Sequence, residues 1–235
     1  MAITAQSRGD APPEFHANTR DWAVCTSERL AAMLYAKGQD GAKIKASPGE
    51  RAVCPVCGEQ VIAKCGEVVA WHWAHESVAE CDPWWEPMGD WHMMWQGIIK
   101  PECCEVAMPP HRADIFGDRG IIIELQASSI SVDTIREREA FYGNMVWLFD
   151  VRAARKRIEL SWGRSGVVKF RWRHARKSIA HAQSPVFLDD GQRIIEVKKI
   201  HNDSGPFAGW GYLLTHAQFI DRFLSTVQRE PSCPF

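Results

Sequence analysis

Residues 121–125 read IIIEL, an apolar run with one carboxylate, Glu124, set inside it. A continuous apolar run of this length suits a strand covered on both faces. Burying a carboxylate among isoleucine and leucine costs several kcal/mol unless something compensates it. The residues that follow narrow the fold. Ser131 can cap a helix, with Asp133 favourable in its first turn. Ile135, Arg138 or Glu139, and Tyr142 then recur at helical spacing, and Gly143 with Asn144 stop the helix. MVWLFDV, 145–151, is a second apolar strand. Strand, helix, strand with a short crossover predicts a βαβ unit with its two strands parallel. HRADIF, 111–116, is expected to pair with the first strand through the turn around Gly117 and Gly120, bringing Asp114 towards Glu124. Glu124 and Gln126 lie two apart and so share a strand face. A divalent cation held between Asp114 and Glu124 would compensate both carboxylates.

A second constellation precedes this one. Residues 54–81 read CPVCGEQVIAKCGEVVAWHWAHESVAEC. The CPVCG turn has the form of a zinc knuckle, in which a tight turn aims two thiolates at one ion, and Gly58 suits the positive φ that closes it. Cys54 and Cys57 are the first ligand pair; His75 with Cys81 is the preferred second pair, and His72 is an alternate ligand. Cys65 breaks the paired spacing and reads as a buried thiol. A site filled by four protein ligands has no open position and stabilises a small fold without catalysing. The competing reading is a set of buried cysteines and histidines with no metal.

The formal net charge of −1 argues at first against a nucleic-acid partner. It is an average. Residues 151–181 concentrate Arg152, Arg155, Lys156, Arg157, Arg164, Lys169, Arg171, Arg173, Arg176 and Lys177 against one acid, Glu159, with Trp162, Phe170 and Trp172 interleaved. That composition suits neutralising phosphates and stacking on bases, and equally a solvated basic face around buried tryptophans. Upstream, the Thr26–Gly38 stretch reads as a short helix carrying Leu30, Met33 and Leu34 on one stripe, and 39–50 as a turn-rich connector. Downstream, VFL and RIIEVKKI around Gly191 read as strands, HNDSGPFAG as a turn cluster, and Thr215 to Val227 as a terminal helix. No apolar run approaches the ~18–20 residues of a membrane span, and no basic start followed by an apolar stretch marks a secretory signal. The expectation is a cytoplasmic chain with no membrane partner; homo-oligomerisation is left open.

An Asp followed by a strand carrying Glu-x-polar resembles the restriction-endonuclease-like, or PD-(D/E)XK, nucleases, with Asp114, Glu124 and Gln126 at the three motif positions; glutamine replaces the common lysine. The chain from about Cys54 resembles more closely the CoiA-like nuclease family, named for a competence protein. CPVCGEQVIAKCGE with WHWAH and a following Cys resembles that family's zinc-finger-like region, and WHMMWQ its helical histidine segment. HRADI, IIIELQASSIS, REREAFY and MVWLFD follow its core in order, and RWRHARKS and PVFLDDG resemble its C-terminal extension. The resemblance implies an α/β protein, α+β with a mixed sheet. An N-terminal helix and connector would occupy 1–50, a zinc-finger-like module 51–82, a restriction-endonuclease-like core 83–151, and a C-terminal extension with the basic segment 152–235.

It further implies a metal-dependent deoxyribonuclease. Asp114, Glu124 and the Leu125 carbonyl would hold Mg²⁺ or Mn²⁺, and Gln126 would orient water. Asp90 and His92 on the helix DWHMMWQ are second-tier catalytic candidates, His92 reading equally as a packed face with Trp91 and Trp95. Arg112, Arg138, Arg171, Arg173, Arg176 and Lys177 are candidates for contacting DNA; Arg138 with Tyr142 reads equally as structural, and Ser128 and Ser129 read as loop ligands or a plain turn. The alternative is a catalytically inactive nucleic-acid-binding or adaptor protein on the same fold.

Overall fold

The computed structural model describes residues 33–229 apart from 68, 69, 77–80, 87, 165 and 202–206. The first sheet is built from β1 (Tyr35–Lys37), β2 (Lys43–Lys45), β3 (Arg51–Val53), β4 (Gln60–Lys64) and β5 (His72–His75), in the order β2-β1-β3-β4-β5. All its pairings are antiparallel. Its small core is Met33, Ala36, Ala52, Val61 and Trp73, with Cys54 at one end. The helix expected over Thr26–Gly38 is corrected here. Residues 26–32 lie outside the described residues, but Met33 bridges Trp73 and Tyr35–Lys37 forms β1. The local spacing is overridden because Met33 closes the first sheet's core while Leu34 packs the opposite way, against the core of the second sheet, an alternation that a strand provides. The expected connector 39–50 likewise supplies β2, so the module begins before residue 51.

The second sheet has nine strands in the order β10-β11-β14-β13-β12-β9-β8-β7-β6. These are β6 (Cys104–Met108), β7 (His111–Phe116), β8 (Ile122–Gln126), β9 (Met145–Asp150), β10 (Ile158–Trp162), β11 (Val167–Trp172), β12 (Val186–Asp189), β13 (Ile194–His201) and β14 (Phe207–Leu214). Only β8–β9 and β9–β12 are parallel. The expected βαβ unit is present: α2 (Val132–Tyr142) joins β8 to β9. The Ser131 side chain accepts from Thr134 N–H, and Gly143, at φ 65, ends the helix.

Alternation along the central strands divides the core in two. Ile122, Trp147, Phe149 and Leu188 face α2 through Ile135 and Tyr142. Ile123, Leu125, Val146, Leu148 and Phe187 face the other way, onto Trp91 and Trp95 of α1 (Asp90–Gly97) and Phe219 and Phe223 of α3 (His216–Phe223). The central strands thus lie between helical layers, while β10, β11 and much of β14 extend the sheet beyond α3. The C-terminal expectations hold in outline: VFL and RIIEVKKI are β12 and β13, and Thr215 caps α3 through a reciprocal capping box, though the helix ends at Phe223 and not at Val227. Of the HNDSGPFAG cluster, 202–206 lie outside the described residues, while His201 and Phe207 belong to strands. The RWRHARKS strand ends at Trp172, and His174 turns the chain at φ 56.

Two buried carboxylates tie the elements together. Glu105 Oε2 accepts from the backbone N–H groups of Leu34 (2.9 Å) and Tyr35 (3.0 Å), docking the first sheet on β6. Asp189, fully buried on β12, accepts from Trp91 Nε1 (2.8 Å), Trp95 Nε1 (3.1 Å) and His216 Nε2 (3.0 Å), so one side chain anchors α1 and α3. Among the described residues, no helix is long and apolar enough to cross a membrane.

Candidate functional site

The thiol and imidazole groups of Cys54, Cys57, His75 and Cys81 converge with all ligand atoms within 4.8 Å of one another. Gly58, at φ 79, closes the CPVCG turn, and the first and last residues of that turn are bonded, Gly58 N–H to Cys54 O (3.0 Å). Cys54 Sγ lies 3.7 Å from Cys81 Sγ, and Cys57 Sγ 3.3 Å from His75 Nε2. A tetrahedral zinc ion sets neighbouring thiolates ~3.8 Å apart and a thiolate ~3.5 Å from an imidazole nitrogen, so this Cys₃His cluster has the donor set and spacing to hold zinc. Burial pushes the Cys57 and Cys81 thiols up and His75 down, each towards its neutral form. A dication reverses that for the thiols. His72 is not part of the cluster: it lies on the other face of β5 from His75, and its Nδ1 bonds the Ala70 carbonyl at 2.8 Å. Cys65 packs against the small core but is half-buried, not the fully buried thiol expected.

The second cluster lies where β7 and β8 part. Their ladder pairs Phe116 with Ile122 and Ile115 with Ile123, and there it stops. Beyond it, side chains replace the backbone partners. Leu125 N–H donates to Asp114 Oδ2 at 2.8 Å, and Asp114 N–H to Glu124 Oε1 at 3.4 Å. Two carboxylates therefore fill a fork in the sheet. Each is approached from a different helical layer. From α1, His92 Nε2 reaches Asp114 Oδ1 at 3.1 Å; from α2, Arg138 reaches Glu124 Oε2 at 2.8 Å and also donates to the Trp84 carbonyl.

The two acids are electrostatically unlike. Burial and the neighbouring Asp114 charge, opposed by Arg138, push Glu124 up to about 7. Burial would also raise Asp114, but the His92 charge and hydrogen bond, with the Leu125 N–H, hold it below the usual carboxylate range. His92 answers in kind: burial disfavours its cation, and Asp114 outweighs burial and raises its pKa.

Gln126, at the end of β8, turns its amide NH₂ to Glu86, because a carboxylate only accepts hydrogen bonds. Its Oε1 is buried without a hydrogen-bond partner among the described residues. Glu86 also accepts from Ala127 N–H (3.1 Å) and Ser128 Oγ (2.5 Å), so it organises the strand end. Glu86 was not anticipated from the sequence: it sits 40 residues from Gln126, between Trp85 and Pro87, with no periodic relation to either strand.

The remaining candidates separate. Asp90 lies ~200° around α1 from His92 and pairs with Arg152 at 3.0 Å, outside the fork. Arg112, on the same strand face as Asp114, lies 3.8 Å from Glu105. Arg138 is turned inward against Glu124, 6% exposed. Arg176 donates to the carbonyls of Ala127, Ser128 and Asp150, which brings the end of the basic segment to the rim beside Gln126. Arg171, Arg173 and Lys177 are exposed, as is Ser129. Tyr142 OH is buried without a hydrogen-bond partner among the described residues. A surface cavity lined by Ile121, Glu139, Asn144, Met145 and Ser184 lies at the opposite ends of β8 and β9 from Gln126.

No curated protein and no solved structure matches the chain. Residues 37–83 match one family model, and that stretch runs from the end of β1 through all four cluster ligands. The N-terminal module of this chain is thus similar to the family described as competence protein CoiA, N-terminal domain.

Proposed function

We propose that the chain is a divalent-metal-dependent nuclease of the restriction-endonuclease-like class that hydrolyses DNA phosphodiester bonds at the β7–β8 fork. The observation that carries the reading is the pair of carboxylates, Asp114 and Glu124, facing each other where the ladder opens, with Glu124 pushed up to about 7. Burial and the Asp114 charge keep Glu124 raised even with Arg138 beside it, and the donor atoms of the pair are hard oxygens of the kind Mg²⁺ and Mn²⁺ prefer. Asp114, Glu124 and the Leu125 carbonyl would hold the ion. When bound, it lowers the pKa of a coordinated water and offsets charge on the phosphate oxygens.

The protein's own groups do the rest. His92 keeps Asp114 ionised and oriented, and Arg138 fixes Glu124 from the opposite layer. The Gln126 Oε1, which has no hydrogen-bond partner among the described residues, is available to accept a hydrogen from the attacking water. Arg176 and Lys177 put positive charge at the rim of β8. The Cys₃His cluster, as a zinc site with four protein ligands, braces the N-terminal module and takes no part in hydrolysis.

The test is a cleavage panel on linear, nicked, branched and single-stranded DNA with Mg²⁺ or Mn²⁺, with Asp114→Ala and Glu124→Ala expected to abolish turnover. A wild-type chain that cuts none of these in either metal sinks the reading. One observation favours a second reading, a nucleic-acid-binding or adaptor protein without catalysis. Gln126 brings no positive charge to the fork, and its amide is engaged by Glu86. That reading predicts salt-sensitive binding that survives Asp114→Ala, with no turnover.

A further inference from the structure

The outward face of the sheet beyond α3 carries side chains that neither the fork nor the metal cluster uses. On β11, Val168, Phe170 and Trp172 enter the core, which leaves Lys169 and Arg171 exposed on the other side. Strand register fixes their neighbours. Lys169 lies between Ser161 of β10 and Trp210 of β14, and Arg171 between Glu159 and Ala208. Across β14, Trp210 adjoins Lys199 of β13. Arg173 continues the β11 row, its N–H bonded to Arg157 O at 3.0 Å. Tyr212, two residues along β14, meets Trp210 edge-on with ring centroids 6.3 Å apart and is itself 38% exposed.

This face therefore presents Lys169, Arg171, Arg173 and Lys199 around two aromatic rings. On these four strands Glu159 is the one exposed carboxylate, and it pairs with Arg173 at 3.5 Å in an exposed contact that a phosphate could displace; Glu196 is buried and held by Lys198 and Arg222. A row of cations alone is an ordinary solvated face. Cations spaced around accessible rings match a polymer that alternates phosphates with flat bases, and the bases must be unpaired for the rings to reach them.

We infer that this face is a platform for single-stranded DNA, with Trp210 and Tyr212 stacking on bases and Lys169, Arg171, Arg173 and Lys199 contacting phosphates. The identity of the polymer rests on the nuclease reading above; the platform itself does not involve the fork.

The test is anisotropy of labelled oligo-dT, oligo-rU and duplex DNA titrated with the full wild-type chain and no added Mg²⁺ or Mn²⁺. Oligo-dT is expected to bind most tightly. Tyr212→Ala and Trp210→Ala should each weaken it roughly tenfold, the size of one lost base-stacking contact. Lys169→Ala with Arg171→Ala should lower the slope of log Kd against log salt by about 1.4, or ~0.7 per phosphate on a single strand. Trp162→Ala is the control. It is 71% exposed, but its register partner Val168 places it on the opposite parity, so it should leave affinity unchanged. Tyr212, Lys169 and Arg171 are exposed, so those variants keep the fold, as thermal melts would verify. Absence of binding at low salt, tighter binding of duplex or oligo-rU, unaltered affinity in the Tyr212 and Lys169/Arg171 variants, or a larger loss at Trp162 each overturns the inference. Variant-sensitive oligo-dT binding in a chain that never cuts would overturn the nuclease reading and leave the platform standing.

Discussion

Glu124→Gln isolates the electrostatic cost of the fork. Glu124 is 2% exposed, and its pKa is raised from 4.5 to about 7 by burial and by Asp114, against the pull of Arg138. A carboxyl whose folded pKa lies above its unfolded value holds its proton more tightly in the native state. Between those two values the native chain binds more protons than the unfolded one, so stability falls as pH rises through the window 4.5 to about 7 and levels off above it. A gap of that width corresponds to a loss of up to roughly 3 kcal/mol. His92, also buried, has a pKa raised by Asp114 and loses its stabilising charge as pH climbs past 6.5; its loss is common to both chains. Breaking the Arg138 pair offsets the variant's stability, and the quantity of interest is the pH slope. Urea unfolding of wild type and variant without added divalent cation, from about pH 5 to about pH 8, should show their difference in unfolding free energy drifting by ~2–3 kcal/mol in the variant's favour. Saturating Mg²⁺ should restore wild-type stability at the upper end and leave the variant unmoved, since a ligand stabilises only the state it binds. Parallel pH profiles for the two chains would refute the claim that burial and Asp114 hold the Glu124 carboxyl above its ordinary range.

Three further outcomes follow from other parts of the molecule. Purification without chelator should give about one zinc per chain by elemental analysis, falling well below that in Cys57→Ser and Cys81→Ser, with chelator-induced loss of the five-stranded sheet seen by hydrogen exchange. Asp189→Ala leaves the Trp91 and Trp95 indole N–H groups buried without an acceptor; it should cost about 3 kcal/mol or more in urea unfolding, and the His216 pKa, raised chiefly by its hydrogen bond to Asp189, should fall when followed by NMR. Gly211→Ala would put a Cβ 1.9 Å from the Glu196 carbonyl oxygen on the neighbouring strand, so β13 and β14 must part; a loss of about 3 kcal/mol or more is expected by thermal melt.

Much of this molecule is legible in local spacing. CPVCG, His75 and Cys81 converge because the knuckle is a local turn and β4–β5 is a short antiparallel pair that folds back on it. The β8–α2–β9 unit is read from an apolar run, a Ser131 cap and a Gly143 stop, each of which acts within one or two turns of chain. Asp114 beside Glu124 follows from pairing neighbouring strands. The misreadings have a common cause. Met33 and Leu34 fit a helical stripe, yet closing the small core required a strand at Tyr35–Lys37. Asp90 and His92 look alike in sequence, but the helix rotation that seats Trp91 and Trp95 over Asp189 aims only His92 at the fork. Glu86 meets Gln126 across α1, β6 and β7, a contact no periodicity encodes.

By itself, then, the sequence determined which side chains are chemically unusual: a Cys/His set at ligand spacing, carboxylates inside apolar strands, and a basic segment hidden by a net charge near zero. Those are properties of residue type and near-neighbour spacing, which covalent geometry transmits directly. The tertiary structure alone decided how the β7–β8 ladder opens around Asp114 and Glu124, which helices answer each acid, and where the basic strand's outer face meets Trp210 and Tyr212. These depend on strand order and register between segments up to about a hundred residues apart. That order is set by burying both faces of the central strands at once, a condition no single segment can satisfy.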